Sequence, residues 1–525
     1  MAECGIAEQS QGSRRRIAWE YAGVLAAALA LYAVSCAPGA LWQDSGMIQY
    51  RVWHNDIEGK LGLALAHPLY YIVAIGVKHF PVGSFLHRVN LISAAAGAIA
   101  VANLYLLMRL WLHKVWPAAV AAISLALSHT FWQHASIAET YTMYTAMLLG
   151  ELVLLLRFVQ TTRIGWLYGL AILNGLAVSV HMFAAIPLMC YLAFAVVLAV
   201  RKDIRLRQLV VCGVLWVIGA AAYEYLIIKH AIETADITGT LASAAFGYGY
   251  KTDVLNMALS WGIVKENVLY IMLNFPTPNV VLGAVGVFAL RRLAPRASFG
   301  AVIMCVLVGF LAFAFRYTVV DRYSFFIPFY AVFALVLGCG AQYVMEKKKC
   351  SRLGTLVLLF ALLPIPTYVA APWVARKFYP QLGVKRETPY RDSYTYFLRP
   401  WQTGYRGPGQ FADEVLESVP HGAVIWADTT VAFPLLAAQE IQQKRSDVEI
   451  VTTIAASYGA AGIDESRAAE LAAQGLLYVV SPVEGYCPSW LLAGYDFVEA
   501  GKLWRVVPGR RFSSMNLYCT ARKGA

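Results

Sequence analysis

Long apolar segments alternate with short polar connections along the first 371 residues of the chain. A helix needs about 20 residues to cross the hydrocarbon core of a bilayer, and most of these segments approach that length. We therefore predict a polytopic, mainly α-helical membrane domain over residues 1–371 with roughly eleven spans. The predicted spans are residues 17–37, 88–110, 115–130, 138–157, 165–181, 182–200, 208–229, 278–290, 298–315, 323–344 and 353–371.

The pattern changes after the last predicted span. Residues 372–408 are rich in Pro, Arg and Tyr and are typical of a linker, whereas residues 409–525 alternate between short strand and helix patterns. Such alternation predicts a small α/β domain with a mostly parallel sheet. Its predicted strands are residues 423–427, 448–454, 476–481 and 503–507, and its predicted helices are residues 410–418, 431–443 and 464–474.

Two apolar stretches between the spans are too short or too polar to cross a bilayer. Residues 67–80 cover about half of its thickness, and residues 253–273 carry Leu and Ile at helical spacing beside Trp261 and two charged residues. Both are typical of helices that lie in the plane of the membrane interface. The Gly- and Tyr-rich stretch 244–251 between the second of them and the preceding span fits either a flap over a pocket or a loose connection.

Composition supports a membrane protein, because 59% of the residues are hydrophobic and only 14% are charged. The net charge of +12 comes mostly from clusters of Lys and Arg between the apolar segments. Such clusters mark the cytoplasmic side, so we expect no nucleic-acid partner. With the N-terminus in the cytoplasm, eleven spans put five later basic clusters on that side as well. The loops 41–87, 131–137, 230–277 and 316–322 and the C-terminal domain then face outward.

The nine cysteines show no metal-ligand spacing. Cys487 and Cys519 lie in the polar C-terminal region and could form a disulfide if that region faces an oxidising compartment.

The first outer loop holds the strongest candidate for chemistry. Asp44 lies just beyond the first predicted span, at the start of an amphipathic stretch that runs to the pair His67–Pro68. Asp is a preferred helix N-cap, so Asp44 fits a structural role. A carboxylate at a low-dielectric rim also has a raised proton affinity, which suits a general base.

The same outer face collects further polar side chains from other loops. Glu139, followed by Tyr141, marks the point where an outer turn re-enters the bilayer, and an acid beside aromatic rings suits a sugar. Glu139 also fits a residue that the helix dipole favours at a helix start. His67 and His181 fit either substrate binding or ordinary structural hydrogen bonds. We expect these groups to converge on one pocket.

Charged residues crowd the outer turn around Asp321 and Arg322. The fork of an arginine binds two phosphate oxygens well, so Arg322 is a candidate phosphate ligand. An Asp–Arg structural pair explains the same two residues equally well.

The chain resembles a protein O-mannosyltransferase-like membrane family of the GT-C glycosyltransferase class, long catalogued as a domain of unknown function. The resemblance lies in Asp-Ser-Gly at 44–46, His-Pro at 67–68, RVNLISAAAGAIAVANLYLLMR at 88–109 and FWQHASIAETYTMYTAMLL at 131–149. Weaker similarity lies in DRYSFFIPFYAVFAL at 321–335 and ADTTVAFPL at 427–435. Many relatives have a second proline after His-Pro, where this chain has Leu69.

The resemblance implies a multispan GT-C fold with an active site on the outer face of a membrane. The predicted outer regions contain no Asn-x-Ser/Thr acceptor, which favours the inner membrane of a bacterium over the secretory pathway. The donor would be a sugar on a polyprenyl phosphate, and the acceptor a hydroxyl on a protein or a glycan. Asp44 takes the position of the family's catalytic base, and we group Glu139 with it. Candidate donor or substrate ligands are His67, Arg88, Tyr141, His181, Asp321 and Arg322.

The sequence demands no metal or other cofactor, although a divalent cation is compatible with this chemistry. Two alternatives stay open: a transporter or lipid flippase, and a scaffold that presents the C-terminal domain.

Overall fold

A computed structural model of the chain describes residues 2–81, 83–319, 321–348, 351–379, 386–452 and 462–509. Helices dominate it up to residue 418. Helices α1 to α9 are Ala2–Ser35, Gln43–Trp53, Pro68–Gly76, Phe85–Leu112, Val115–Ala126, His129–Ala135, Tyr141–Thr161, Gly165–Val180 and Ala185–Val200. Helices α10 to α20 are Leu206–Thr234, Ile237–Phe246, Lys251–Val254, Trp261–Asn274, Val280–Leu293, Ala297–Arg316, Ile327–Lys348, Ser351–Ala361, Pro364–Phe378, Ser393–Leu398 and Gly407–Ser418.

The chain is a multi-pass membrane protein. Over the described residues, seven helices are long and apolar enough to cross a membrane, and counting each of two bent pairs as one span gives up to nine. The bent pairs are α5 with α6, and α17 with α18. The two other predicted spans coincide with α8 and α14, which have only 16 and 14 residues. Every predicted span therefore lies on a helix or a bent pair, while the count of eleven stays a prediction.

Glycines let two pairs of helices pack at very short range. A Cβ on Gly175 of α8 would collide with the carbonyl of Trp216 on α10, and one on Gly219 would collide with that of Ile172. Helices α14 and α16 approach each other in the same way, because a Cβ on Gly286 or on Gly340 would collide with a backbone carbonyl of the other helix. Small residues at such crossings are typical of helices that associate within a membrane, because lipid provides no hydrophobic driving force between them.

The ionisable side chain of Glu151, within α7, is fully buried and has hydrogen-bond partners. It accepts hydrogen bonds from Tyr191 Oη at 3.0 Å and from Asn174 Nδ2 at 3.2 Å. The indole of Trp216 in turn donates to Asn174 Oδ1 at 3.0 Å. This network ties α7, α8, α9 and α10 together inside the bundle.

The two predicted interfacial helices differ from the expectation in detail. Residues 67–80 form α3 and then a 3-10 turn at Val77–His79. The predicted helix at 253–273 is wrong between Leu255 and Ser260, where the chain leaves the helical path. Arg316 explains the break, because its guanidinium binds the carbonyl oxygens of Val254 and Asn256 that a helix would use internally.

The C-terminal domain is a five-stranded sheet with helices on both faces. Its strands are β1 Val424–Trp426, β2 Glu449–Val451, β3 Leu477–Val479, β4 Tyr495–Ala500 and β5 Leu503–Pro508. Its further helices are α21 Ala432–Leu436, α22 Glu465–Gln474 and α23 Ser489–Gly494, and a π-helical turn spans Ala437–Ile441.

The sheet order is β2-β1-β3-β5-β4, with β2, β1 and β3 parallel and β5 antiparallel to both neighbours. The sheet is therefore mixed rather than mostly parallel, because β4, which the sequence prediction missed, forms a hairpin with the predicted strand β5. Cys519 and residues 453–454 lie outside the described residues, so the disulfide and the end of the second predicted strand stay predictions.

The C-terminal domain packs directly on the first loop of the membrane domain. Trp42, which is 1% exposed, enters the core between the sheet and α20 and packs edge-on against Phe411. Its indole donates to Tyr405 Oη at 2.8 Å, and the next residue, Gln43, donates its N–H to Thr430 O at 3.1 Å. The start of α2, which belongs to the membrane domain, is thus held by the C-terminal domain.

Candidate active site

A cavity of about 360 Å³ lies where the first loop meets the bundle. Its walls come from α2, residues 61–67, the start of α7, the break between α8 and α9, α11, and the turn after α15. Most of the lining is apolar, including Phe183, Ile186, Phe246 and Phe313. The polar exceptions are few, and they include six of the eight groups that the sequence singled out: Asp44, His67, Glu139, Tyr141, His181 and Asp321.

Three carboxyls, Asp44, Glu139 and Asp321, lie at one end of this cavity. They also line a second chamber of about 110 Å³ together with Tyr141, so the two chambers meet at the acids. The large chamber is lined mainly by apolar side chains, whereas the small one is lined by acids, amides, hydroxyls and aromatic rings. The expected convergence is therefore found for these four residues, and it extends to His67 and His181, which line the large chamber.

Asp44 does not cap its helix. Helix α2 begins at Gln43, and its N-cap residue Trp42 makes no side-chain cap bond. The structural interpretation of Asp44 as an N-cap is therefore wrong, because the residue lies within the first turn. Gln43 has φ 52°, a left-handed conformation that a non-glycine residue adopts at a cost of about 1–3 kcal/mol. Its bond to Thr430 O helps to hold that conformation.

Glu139 is fixed by two serines. Ser45 Oγ donates to Glu139 Oε1 at 2.9 Å. Ser93 Oγ accepts from the N–H of Glu139 and donates to its carbonyl oxygen, both at 2.9 Å. Since Ser45 follows Asp44 directly, the position of one acid is linked to that of the other.

Burial and mutual repulsion give the acids different proton affinities. Burial raises the pKa of Asp44 to about 6, and the charge of Asp321 adds to this shift. Burial raises the pKa of Glu139 to about 8, with further contributions from the charges of Asp44 and Asp321. Burial also raises the pKa of Asp321. Near neutral pH, Asp44 is therefore ionised while Glu139 holds its proton.

His67 and His181 form a stacked pair on another wall of the cavity. Their ring centroids are 4.8 Å apart. His67 Nδ1 lies 2.8 Å from Val180 O, and a carbonyl only accepts, so Nδ1 carries the proton. Burial, followed by the charge of Arg51, lowers the pKa of His67 to about 4, so the ring is neutral. His67 has φ 53° and precedes a proline, which is a strained combination.

Arg51 is the functional candidate that the sequence reasoning missed. It is 2% exposed, and among the described residues lining the large chamber it is the one with a permanent positive charge. Its Nη2 donates to Ala66 O at 3.0 Å, and its guanidinium lies 3.7 Å from the centroid of the Tyr71 ring. The signal was the helical spacing of Asp44, Met47, Ile48 and Arg51, which puts all four on one face of α2.

The two arginines that the sequence suggested lie elsewhere. Arg322 pairs with Glu266 and lies over the Tyr270 ring, and it lines neither chamber. The ion pair that the structure describes for Arg322 is with Glu266, so the Asp–Arg structural pair suggested for Asp321 and Arg322 is not found. Arg88 lies at the start of α4, where its Nη1 donates to Gly83 O at 3.1 Å, and it too is outside both linings.

The site shows no metal centre within the described ranges, since no three His, Cys, Asp or Glu side chains there are arranged to hold an ion.

Residues 62–206 match the sequence model of the family described as "Protein O-mannosyl-transferase TMEM260 N-terminal domain". This match confirms the resemblance to protein O-mannosyltransferases over those residues. The matched region contains His67, Glu139, Tyr141 and His181, whereas α2 precedes it. No curated protein matches the chain in sequence.

Solved structures agree on the fold. The crystal structure of ArnT from Cupriavidus metallidurans bound to undecaprenyl phosphate is similar with a TM-score of 0.60 and 12% identity, over 92% of this chain and 97% of that one. The apo state of the same ArnT gives 0.59 and 12%, over 92% and 96%. The archaeal oligosaccharyltransferase AglB from Archaeoglobus fulgidus gives 0.46 and 13%, over 94% and 74%. The two ArnT matches show that the chain has the GT-C fold of ArnT.

Proposed function

We propose that this chain is a membrane glycosyltransferase that moves a sugar from a polyprenyl-phosphate donor to an acceptor hydroxyl. The observation that carries the proposal is the placement of Asp44, where an apolar chamber and a polar chamber meet on a GT-C fold. A transferase needs both substrates at one base, and a junction of two unlike chambers meets that need. The match to protein O-mannosyltransferases over residues 62–206 supports the reaction class.

Asp44 acts as the general base. A base must be ionised at the working pH and must have a proton affinity high enough to accept a proton, and a pKa of about 6 meets both conditions. Glu139 keeps its proton and keeps the total negative charge around the reacting atoms low. A single displacement at the anomeric carbon inverts its configuration: the acceptor oxygen forms the new bond, the phosphate leaves, and Asp44 takes the hydroxyl proton.

The large chamber holds the donor. Its apolar wall suits an isoprenoid tail, and Arg51 is placed to bind the phosphate with charge-assisted hydrogen bonds and to stabilise it as it leaves. The binding of undecaprenyl phosphate by ArnT, a protein of the same fold, supports this assignment. The chemistry is complete without a metal, and a divalent cation on the phosphate is compatible with it.

The basic clusters between the spans support an N-terminus in the cytoplasm and a site on the outer face, as in a bacterial inner membrane. The C-terminal domain then lies outside as well, where an acceptor protein or glycan can reach it. The alternative function, a transporter or lipid flippase, finds little support in Glu151, whose hydrogen bonds to Tyr191 and Asn174 fit a structural role.

Substitution of the base tests the proposal. Asp44→Asn should lower the rate of transfer from a polyprenyl-phosphate sugar by at least about a hundredfold, within the range of general-base catalysis. Stabilisation of the purified protein by undecaprenyl phosphate should persist, because the phosphate is bound by Arg51. Asp496→Asn makes the same change at an exposed position of β4 that lines neither chamber, and it provides the matched control. Transfer at the wild-type rate by Asp44→Asn would remove Asp44 from the mechanism.

A further inference from the structure

The segment that joins the two domains contributes two side chains to the small chamber. Tyr396 and Phe397 belong to α19 in the region that the sequence describes as a linker, and they line this chamber together with the three acids. No other described residue beyond 372 lines either chamber. The linker therefore forms part of the site and does not merely connect the domains.

Helix α19 is anchored at this position from several sides. The Tyr396 ring lies 5.6 Å from that of Tyr405, which accepts the indole hydrogen bond of Trp42. The guanidinium of Arg391 lies 5.3 Å from the ring centroids of both Tyr396 and Phe397. Because Trp42 is the N-cap residue of α2, the same contacts locate both the linker rings and Asp44.

The lining of the small chamber indicates what it takes. Three carboxyls, Gln43, Gln133 and several hydroxyls face it beside aromatic rings, and none of its described lining residues is a Lys or Arg. Carboxyls, amides and hydroxyls bind the hydroxyl groups of a neutral ligand, and aromatic faces cover its apolar side. The negative charge of Asp44 would repel an anionic group, and no described Lys or Arg in the lining would pair with it.

On the basis of the proposed function, we propose that the small chamber binds the acceptor, that this acceptor is an electrically neutral hydroxyl compound, and that Tyr396 and Phe397 determine its specificity. The donor occupies the large chamber with its phosphate at Arg51. The two substrates then approach Asp44 from opposite chambers, which is the arrangement that direct transfer requires. The shared chemistry is a neutral hydroxyl, whether it belongs to a Ser or Thr side chain or to a sugar.

The test uses the full chain in lipid nanodiscs with undecaprenyl-phosphate mannose as donor. The acceptors are a neutral Thr peptide, the same peptide with Asp on both sides of the Thr, and a neutral methyl glycoside. The variants are Phe397→Ala and the milder Tyr396→Phe, and Tyr394→Ala on the same helix is the control, because Tyr394 lines neither chamber.

Phe397→Ala should raise KM for the neutral acceptor roughly three- to tenfold, the effect of losing one aromatic contact, and leave KM for the donor unchanged. Tyr394→Ala should change neither KM. The peptide with flanking Asp should be at least roughly tenfold poorer than the neutral peptide. Preference for the peptide or for the glycoside identifies the source of the hydroxyl.

A rise in KM for the donor with an unchanged KM for the acceptor would overturn the inference, because the small chamber would then hold the donor sugar. Unchanged constants in Phe397→Ala, or equal use of the anionic peptide, would overturn it as well. Thermal stabilisation of the wild type by undecaprenyl phosphate alone distinguishes a failure of the proposed function from a failure of this inference. If that stabilisation is absent, the proposed function fails, and if it is present while the acceptor constants do not change, only this inference fails.

Discussion

Asp44 and Glu139 line the same two chambers but bind protons with different affinity. Because Asp44 must be ionised to act as a base, transfer should be lost as the pH falls through about 6. Because Glu139 is protonated in the working state, ionisation above about 8 adds a second negative charge and should lower the rate again. We therefore expect a bell-shaped profile of kcat/KM against pH with limbs near these two values.

Glu139→Gln should remove the alkaline limb and leave the acid limb in place, since Glu139 is already neutral where Asp44 titrates. Rates measured from pH 5 to 9 with saturating donor, for the wild type and for Glu139→Gln, would check both profiles. An alkaline limb that persists in Glu139→Gln would assign that limb to another group.

Substituting Arg51 and Arg322 in turn tests which of the two arginines binds the donor phosphate. Arg51→Met should weaken binding of undecaprenyl phosphate by roughly ten- to a hundredfold, the effect of losing hydrogen bonds to a charged group. Arg322→Met should leave that affinity nearly unchanged, because its guanidinium pairs with Glu266 outside both chambers. Titration of the lipid into each purified variant gives the two constants. A larger loss in Arg322→Met would restore the prediction made from the sequence.

The residues found from the sequence were those whose chemistry is unusual at a membrane surface. An acid beside an apolar segment stands out in a sequence, and Asp44, Glu139 and Asp321 all fit that description. Arg51 did not stand out, because an arginine in an amphipathic stretch ordinarily faces water. Its burial depends on Ala66 and Tyr71, whose positions are set by tertiary packing.

At the scale of elements, the cavity wall depends on close contact between residues 61–65 and the end of α11. Tyr248 N donates to Leu61 O at 3.0 Å, and Leu63 N donates to Ser243 Oγ at 3.0 Å. The stretch 244–251 thus packs against residues 61–65, and three of its residues, Ala245, Phe246 and Tyr250, line the cavity. Gly62 permits this approach, because a Cβ there would lie 2.6 Å from Tyr248 N.

Gly62→Ala should therefore separate the two segments and lower both activity and thermal stability. Gly83→Ala is the matched control, since Gly83 also has a positive φ, 67°, but has open space around its Cα. We expect the control to lose about 1 kcal/mol from the backbone conformation alone, and Gly62→Ala to lose clearly more. Melting of both variants in the same detergent checks this difference, and equal losses would argue against the contact.

The elements that the sequence predicted well are those with a long, uniform pattern. Spans such as α4 and α16 are apolar over more than 20 residues, and the helix at 464–474 carries a capping Asp464 that binds the N–H of Arg467. The break at 255–260 was missed because a side chain from α15 causes it. Strand β4 was missed because Asp496 and Glu499 interrupt its apolar residues and leave no continuous apolar run.

At the scale of the whole molecule, the C-terminal domain holds the helix that carries Asp44, the proposed base. Trp42 lies in the core of that domain, and Glu440 accepts a hydrogen bond from Tyr50 Oη at 3.1 Å and contacts His54 Nε2 at 2.5 Å. Trp42→Ala should cost about 3–5 kcal/mol and release the domain from the membrane part. Glu440→Gln should cost less than about 1 kcal/mol, because its contacts are partly exposed.

Limited proteolysis of the two variants distinguishes them. Faster cleavage between residues 379 and 407 in Trp42→Ala, together with a loss of transfer, is the expected result. Cleavage and transfer at wild-type rates in Trp42→Ala would mean that the position of Asp44 does not depend on the C-terminal domain.

The contact between Trp42 and Tyr405 joins residues that are 363 positions apart. A ribosome adds roughly 5–20 residues per second, so the later partner emerges roughly 20–70 s after the earlier one. Until then α2 lacks the surface against which it packs, although its own sequence has been made. Under the proposed function, Asp44 therefore reaches its working position only after Tyr405 and the strands that follow it have been made, and an unfinished chain in the membrane would leave the pool of lipid-linked sugar untouched.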